Sequence, residues 1–160
     1  MQRLKIFIEG IVQGVGFRPF VYQLAQRMKL SGSVCNDTRG VTIEVEGQLD
    51  LLQKFVVSLR MEKPPLAVIH RLDVETTRPL GDTDFTILLS GIDDSRRAQV
   101  APDTFVCADC LDELFNPSDR RYQYPFINCT NCGPRYSIVT GIPYDRALTT
   151  MVDFPLCRQC

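Results

Sequence analysis

All but one of the seven cysteines in this chain stand in Cys-x-x-Cys pairs, namely Cys107/Cys110, Cys129/Cys132 and Cys157/Cys160. The first two pairs flank residues 111–128, which is the spacing of a four-cysteine zinc site in which each pair supplies two ligands. The third pair has no fourth pair to complete it, and it predicts half of a second site. We therefore expect part of the chain to fold around Zn²⁺ and the sequence to be a piece of a longer protein.

Three uses of the cysteine pairs compete. Structural zinc agrees best with the spacing, because four thiolates complete a tetrahedral site and leave no open position. A redox pair normally occurs singly at a strand-to-helix turn rather than in a series. A catalytic zinc is the weakest alternative, because no histidine or carboxylate is paired into the motif. A segment of fewer than about 70 residues also rarely folds on its core alone, and a structural zinc would supply the missing folding energy.

Composition argues against several partners. Hydrophobic residues make up 44% of the chain and the formal net charge is −1, so a core is expected but no basic surface for nucleic acid. No run approaches the roughly 18 apolar residues of a membrane span, and the N-terminus lacks the features of a signal peptide. We expect a cytoplasmic location, where paired cysteines act as ligands more often than as disulfides.

Residues 1–91 predict an α+β domain. Alternating apolar residues mark strands, and apolar residues at helical spacing mark two amphipathic helices. The predicted order is a strand at 4–8, a helix from Pro19 to about Ser31, strands at 34–37 and 41–45, a helix at 52–59, and strands at 68–77 and 85–89. This is the βαββαβ, ferredoxin-like pattern, with two helices on one face of an antiparallel sheet.

The loop between the first strand and the first helix reads Gln13-Gly14-Val15-Gly16-Phe17-Arg18. Gly14 and Gly16 permit backbone angles at which successive N–H groups point inward and form a nest for an anion at the start of a helix. Arg18 could add a bidentate contact to a phosphate. A tight turn with a surface arginine is the alternative that the glycines alone leave open.

The string GIVQGVGFR at 10–18 resembles the acylphosphatase signature, and Asn36 with Gly40 resembles the second motif of that family. The resemblance covers nearly all of residues 3–91. It implies that Arg18 binds phosphate together with the loop amides of residues 13–18, and that Asn36 orients the attacking water. An acyl phosphate is already a good electrophile, so its hydrolysis requires positioning and charge stabilisation rather than a strong base.

Three neighbouring features have no catalytic role in this interpretation. His70, the single histidine, lies in a predicted strand outside both motifs, and we interpret it as structural. Cys35 points to the opposite side of its strand from Asn36 and is expected to be a small core residue. Arg39 stands where acylphosphatases usually carry an acidic turn residue, which would alter the charge near the site.

Residues 107–160 resemble the HypF carbamoyltransferases that mature nickel–iron hydrogenases. The match is carried by RRYQYPFINCTNCGPRYSI at 120–138, by Ile142–Arg146, and by GVGFRPFVYQLA at 14–25. In that family an acylphosphatase-like domain precedes two four-cysteine fingers. The resemblance implies an acylphosphatase-like domain at 1–91, a linker at 92–106 and a zinc-finger segment at 107–160, with the first finger at 107–132 and a second beginning at Cys157 and Cys160.

The resemblance also implies a function. The family uses carbamoyl phosphate and ATP to carbamoylate the C-terminal cysteine of a partner maturation protein, as a step towards the cyanide ligands of the hydrogenase. The first domain would then bind and hydrolyse carbamoyl phosphate or another acyl phosphate. Two alternatives remain. One is a stand-alone acylphosphatase, against which the zinc segment argues. The other is a zinc-ribbon module that binds a protein or, less compatibly with its acidity, nucleic acid.

Overall fold

The fold was taken from a computed structural model that describes residues 1–90, 99–127, 129, 132, 133 and 136–154. The elements are β1 (Gln2–Gln13), α1 (Phe17–Arg27), β2 (Ser31–Asn36), β3 (Val41–Gly47), α2 (Leu49–Met61), β4 (Val68–Thr77), β5 (Phe85–Ile87), β6 (Gln99–Val100) and α3 (Ala108–Phe115). Short 3₁₀ turns follow at Tyr136–Ile138 and Arg146–Leu148. No helix among the described residues is long and apolar enough to cross a membrane.

One sheet organises the first domain, with strand order β4-β1-β3-β2-β5 and β6 joined to β1. Strands β1 to β4 pair antiparallel, and this confirms the predicted α+β, ferredoxin-like fold. The prediction of an antiparallel sheet was wrong for two strands. Strand β5 pairs parallel to β2, and β6 pairs parallel to β1. Residues 99–100 therefore belong to this sheet, although the sequence places them in the linker.

The core lies between the sheet and the two helices. The same face of β1 that alternation predicts is buried, through Leu4, Ile6 and Ile8. The helices contribute the residues expected from their spacing, namely Phe17, Val21, Leu24 and Ala25 of α1 and Leu52, Phe55 and Leu59 of α2. Burying each large side chain contributes about 1.5–3 kcal/mol, so this packing holds the ends of β1 and α1 in fixed positions.

The first helix begins earlier and ends earlier than predicted. It starts at Phe17, directly after Gly16, whose φ of +73° is in the left-handed region that favours glycine. Pro19 lies within the first turn, where its missing N–H is not required. The helix ends at Arg27, and the chain from Ser31 joins the sheet as β2. These bounds place the N-terminus of α1 against the loop that follows β1.

A charged cluster is buried at the opposite end of the sheet. The Arg3 guanidinium forms ion pairs with Glu46, Glu44 and Asp82, and the Glu46 side chain is fully buried. Burial alone would raise the pKa of Glu46, but the amides of Leu80 and Gly81 and the guanidinium of Arg3 lower it below its usual value. The carboxylate therefore ties β3 to the chain between β4 and β5.

We predict that Glu46→Gln lowers the free energy of unfolding at neutral pH by about 2–3 kcal/mol, because it removes one partner of a buried ion pair. A carboxyl group with a lowered folded-state pKa stabilises the fold above its unfolded pKa, and this stability is lost as the pH falls through the folded value. Urea denaturation between about pH 6 and pH 3 should thus show a shallower pH dependence in the variant.

The matched control is Glu62→Gln, which removes a carboxylate that pairs with Arg27 at the surface. Solvent screens this pair, so its loss should change stability far less. Equal effects of the two substitutions would contradict the role given to Glu46.

Candidate functional site

The glycine loop connects β1 to α1 and has the geometry of an anion nest. Gly14 and Gly16 both adopt left-handed backbone angles, with φ of +71° and +73°. The amides of Gly14, Val15 and Gly16 lie in the three-residue connection between the end of β1 and the start of α1. These N–H groups lie beside the N-terminus of an eleven-residue helix, where the helix dipole also favours negative charge.

Arg18 lies in the first turn of α1, with 21% of its side chain exposed. Its guanidinium contacts Asn36, which is buried at the end of β2. In the amide orientation that the surrounding donors require, the Asn36 oxygen accepts hydrogen bonds from Nε at 3.1 Å and Nη2 at 3.2 Å. The structure thus places the two predicted catalytic residues in direct contact.

Gln13 links the loop to the turn after β2. Its side-chain Nε2 donates to the carbonyl oxygens of Asp37 at 2.6 Å and Gly40 at 2.8 Å. The Asp37 carboxylate in turn accepts from the amides of Arg39 and Gly40, both at 2.8 Å. The two sequence motifs are therefore held against each other by hydrogen bonds of the buried Gln13 side chain as well as by the sheet.

His70 and Cys35, to which the sequence assigns no catalytic role, lie outside these contacts. His70 is exposed on β4. Cys35 is half-buried rather than fully buried, and burial followed by the nearby Asp37 carboxylate raises the pKa of its thiol. A raised pKa leaves this thiol protonated and poorly nucleophilic.

The second segment of the chain supplies contacts to the loop that the sequence did not predict. The Asp145 carboxylate lies 2.8 Å from Nη2 of Arg18, and the Tyr144 carbonyl oxygen accepts from the same nitrogen at 3.0 Å. The Tyr144 amide donates to Oε1 of Gln13 at 2.9 Å. From the first domain itself, Ser90 Oγ lies 3.4 Å from Nη1 of Arg18, which is a long hydrogen-bond distance. The sequence indicates only that residues 142–146 resemble a family motif, and it predicts no function for them.

The four cysteines of the predicted first finger form one cluster. The Sγ atoms of Cys107, Cys110, Cys129 and Cys132 all lie within 4.8 Å of one another. Separations across the cluster are 3.4 Å for Cys107–Cys129 and 3.9 Å for Cys110–Cys132. Zn–S bonds of about 2.3 Å in a tetrahedron place sulfurs about 3.8 Å apart, so the cluster has the dimensions of a metal site.

Local structure explains how the cysteines converge. Cys107 precedes α3 and Cys110 lies in its first turn, so both thiols project from one helix end. On the other side, the Gly133 amide donates to the Cys129 carbonyl oxygen at 2.8 Å and closes a tight turn. Thr104 Oγ1 donates to the Cys132 carbonyl oxygen at 3.0 Å. The other predicted ligands, Cys157 and Cys160, lie outside the described residues.

The pKa values of two thiols in the cluster, Cys110 and Cys132, are shifted in opposite directions. Burial, followed by contact with the other three thiols, raises the pKa of Cys110. Burial would also raise the pKa of Cys132, but hydrogen bonds from the amides of Cys129 and Cys107 outweigh it and lower this pKa to about 7. Crowded thiolates repel one another, and a divalent cation is what allows all four to be ionised together.

Gly133 connects the cysteine cluster to the glycine loop. It is buried, with a φ of +69°, and a Cβ atom at this position would lie 2.6 Å from the carbonyl oxygen of Gly14. No side chain can occupy that space without moving one of the two backbones. The turn that presents Cys132 therefore lies directly against the loop that leads to Arg18.

Comparison with known proteins gives the same two parts. The acylphosphatase family model matches residues 4–87, and the HypF finger model matches residues 106–139. Carbamoyltransferase HypF2 of Cupriavidus necator is 49% identical over 158 residues, which are 98% of this chain and 20% of that protein. The chain belongs to the acylphosphatase family, through the domain at 4–87, and over almost its whole length it is similar to HypF carbamoyltransferases.

Solved structures agree with this assignment. A crystal structure of full-length HypF in the phosphate- and nucleotide-bound form superposes with a TM-score of 0.94 at 50% identity, over 99% of this chain and 21% of that one. The acylphosphatase of Bacillus subtilis superposes with a TM-score of 0.52 at 38% identity, over 55% of this chain and 99% of that one. The acylphosphatase of Thermotoga maritima is 44% identical over 88 residues, 97% of its length.

The present chain thus spans about a fifth of the length of its HypF relatives. The match runs through both parts of the chain, so the HypF finger accompanies an acylphosphatase domain here as it does in those relatives. Residues 133, 144 and 145 all follow the acylphosphatase domain in sequence, and they contact the glycine loop of that domain.

We predict that Cys110→Ser lowers the bound metal by one ion per chain, measured by elemental analysis after dialysis. Losing one thiolate from a four-cysteine site removes most of its affinity, and metal binding contributes to folding. Limited proteolysis should then cleave the HypF finger while the sheet domain stays intact. Cys35→Ser is the matched control, because that thiol lies on β2 outside the cluster. Retention of the metal by the Cys110 variant would contradict the assignment of these ligands.

Proposed function

We propose that the first domain binds carbamoyl phosphate or another acyl phosphate and hydrolyses it to a carboxylate, carbamate in the first case, and inorganic phosphate. The observation that carries the proposal is the contact of Arg18 with Asn36 beside a loop that contains two left-handed glycines. A guanidinium at the N-terminus of a helix is suited to a phosphoryl group, because both the helix dipole and the formal charge attract it.

Each residue has a distinct part in this proposal. The amides of residues 13–18 and the guanidinium of Arg18 hold the phosphoryl oxygens and stabilise the charge that builds up on them during the reaction. The side chain of Asn36, fixed against Arg18 on one side, directs a water molecule towards the bound acyl phosphate. That water attacks phosphorus and becomes part of the phosphate product, while the P–O bond to the acyl group breaks and the carboxylate departs. A carboxylate is already a good leaving group, so we assign no general base to the site.

The four-cysteine cluster is proposed to hold Zn²⁺ in a structural role. The thiolates of Cys107, Cys110, Cys129 and Cys132 would fill all four positions of a tetrahedral ion, so the ion would have no position left for a substrate. Its contribution is to fix the turn at Gly133 against the loop. Cys157 and Cys160 are proposed as ligands of a second site.

The wider function is proposed from the relatives. Two of these relatives are named carbamoyltransferases. The whole protein would use the carbamate released here, together with ATP, to carbamoylate a cysteine of a partner maturation protein for hydrogenase assembly. The proposed division is 1–91 for the acylphosphatase-like domain, 92–106 for the linker, which contributes β6, and 107–160 for the finger segment. The presence of the finger argues against a stand-alone acylphosphatase.

We predict that Arg18→Ala reduces hydrolysis of acetyl or carbamoyl phosphate by at least about 100-fold, because it removes the charged group that stabilises the phosphoryl oxygens. Release of inorganic phosphate measures this directly. Arg27→Ala is the matched control, since it makes the same change at the far end of α1 and should leave the rate within about twofold. Undiminished hydrolysis by the Arg18 variant, with an unchanged melting temperature, would refute this site.

A further inference from the structure

The finger segment reaches the acyl-phosphate site through four backbone or side-chain contacts. Gly133 abuts the Gly14 carbonyl, and the Tyr144 amide bonds to Gln13. The Tyr144 carbonyl oxygen accepts a hydrogen bond from Arg18, and Asp145 pairs with Arg18. The Arg18–Asp145 pair is half-buried, with side-chain exposures of 21% and 33%. A carboxylate therefore lies within ion-pair distance of the same guanidinium that the proposed function assigns to the phosphoryl group.

The geometry of a guanidinium makes this contact consequential. Bidentate binding uses two parallel N–H groups, and only two edges offer them: the edge formed by Nε and Nη2, and the edge formed by Nη1 and Nη2. Asn36 already accepts from both nitrogens of the first edge. The second edge remains, and its Nη2 is the nitrogen that Asp145 contacts at 2.8 Å. The Tyr144 carbonyl oxygen accepts from the same nitrogen at 3.0 Å but carries no formal charge. A phosphoryl group that binds Arg18 through two bonds must therefore share Nη2 with these two groups, of which Asp145 is the charged one.

We propose that Asp145 is a positioning residue of the acyl-phosphate site, which holds Arg18 through Nη2 and competes there with the phosphoryl group. This inference rests on the proposed function of Arg18. Asp145 neutralises the guanidinium when paired with it, and it repels a phosphate dianion bound beside it. Its effect is to weaken retention of the phosphate product, and to link occupancy of the site to the position of the finger segment.

The sign of the effect separates this role from a merely structural one. If Asp145 only fastened the finger to the first domain, its loss would loosen Arg18 and weaken phosphate binding. If it competes for Nη2, its neutralisation leaves Arg18 with an uncompensated positive charge and strengthens phosphate binding. The two roles therefore predict changes of opposite direction in one measured constant.

The experiment measures inorganic phosphate with the full chain loaded with metal, both by calorimetry and as the inhibition constant against acetyl phosphate. Asp145→Asn keeps the shape of the side chain and removes its charge, and we expect phosphate to bind about tenfold more tightly. Asp145→Glu restores the carboxylate and should return both constants to near the wild-type values. Asp153→Asn changes the net charge equally at an exposed position of the same segment and should have no effect.

Phosphate binding that is unchanged or weakened in Asp145→Asn, with the same metal content and melting temperature as the wild type, would overturn the proposal. The Arg18→Ala variant tests the proposed function independently of Asp145. If Arg18→Ala binds phosphate as tightly as the wild type does, then Arg18 is not the phosphoryl ligand, whatever Asp145 does. If Arg18→Ala loses phosphate binding while Asp145→Asn leaves it unchanged, only the role of Asp145 is rejected.

Discussion

The position of the Arg18 guanidinium is the constraint on which the rest of the site depends. Packing of α1 against the sheet fixes where its first turn lies, and two left-handed glycines allow β1 to reach that turn in three residues. Asn36 then accepts from Nε and Nη2 of the guanidinium, and Asp145 pairs with Nη2. A single cation is therefore held by the loop, by the sheet and by the finger segment, and its direction cannot change without moving one of them.

The cysteine cluster acts on the same loop from a distance. Four thiolates brought together by α3 and the turn at Gly133 would repel one another without a cation, so the fold of this segment is coupled to metal. Because Gly133 leaves no room for a side chain beside Gly14, the fixed turn also fixes the outer wall of the loop. This coupling gives a physical reason for a metal-bound finger to accompany an acylphosphatase domain in one chain.

Local patterns were sufficient to predict most of the fold, and they single out Arg18, Asn36 and the four cysteines that the structure brings together. Alternation in β1 and helical spacing in α1 report burial directly, and the cysteine spacing reports tetrahedral geometry. Asp145 could not be predicted, because its function depends on a fold that brings it to Arg18 across more than a hundred residues, and an isolated Asp in a loop usually faces solvent. The parallel pairing of β6 was missed for a similar reason, since two residues are too short to show a period.

Hydrogen exchange followed by mass spectrometry tests most directly whether the metal-bound finger segment holds the phosphate loop. The chain would be compared with and without a chelator, with peptides that cover residues 13–20, residues 142–146 and β3. The account predicts that metal removal speeds exchange in the loop and in residues 142–146, where the Tyr144 amide bonds to Gln13, while β3 stays protected. Unchanged exchange in the loop, together with faster exchange in the finger, would contradict it.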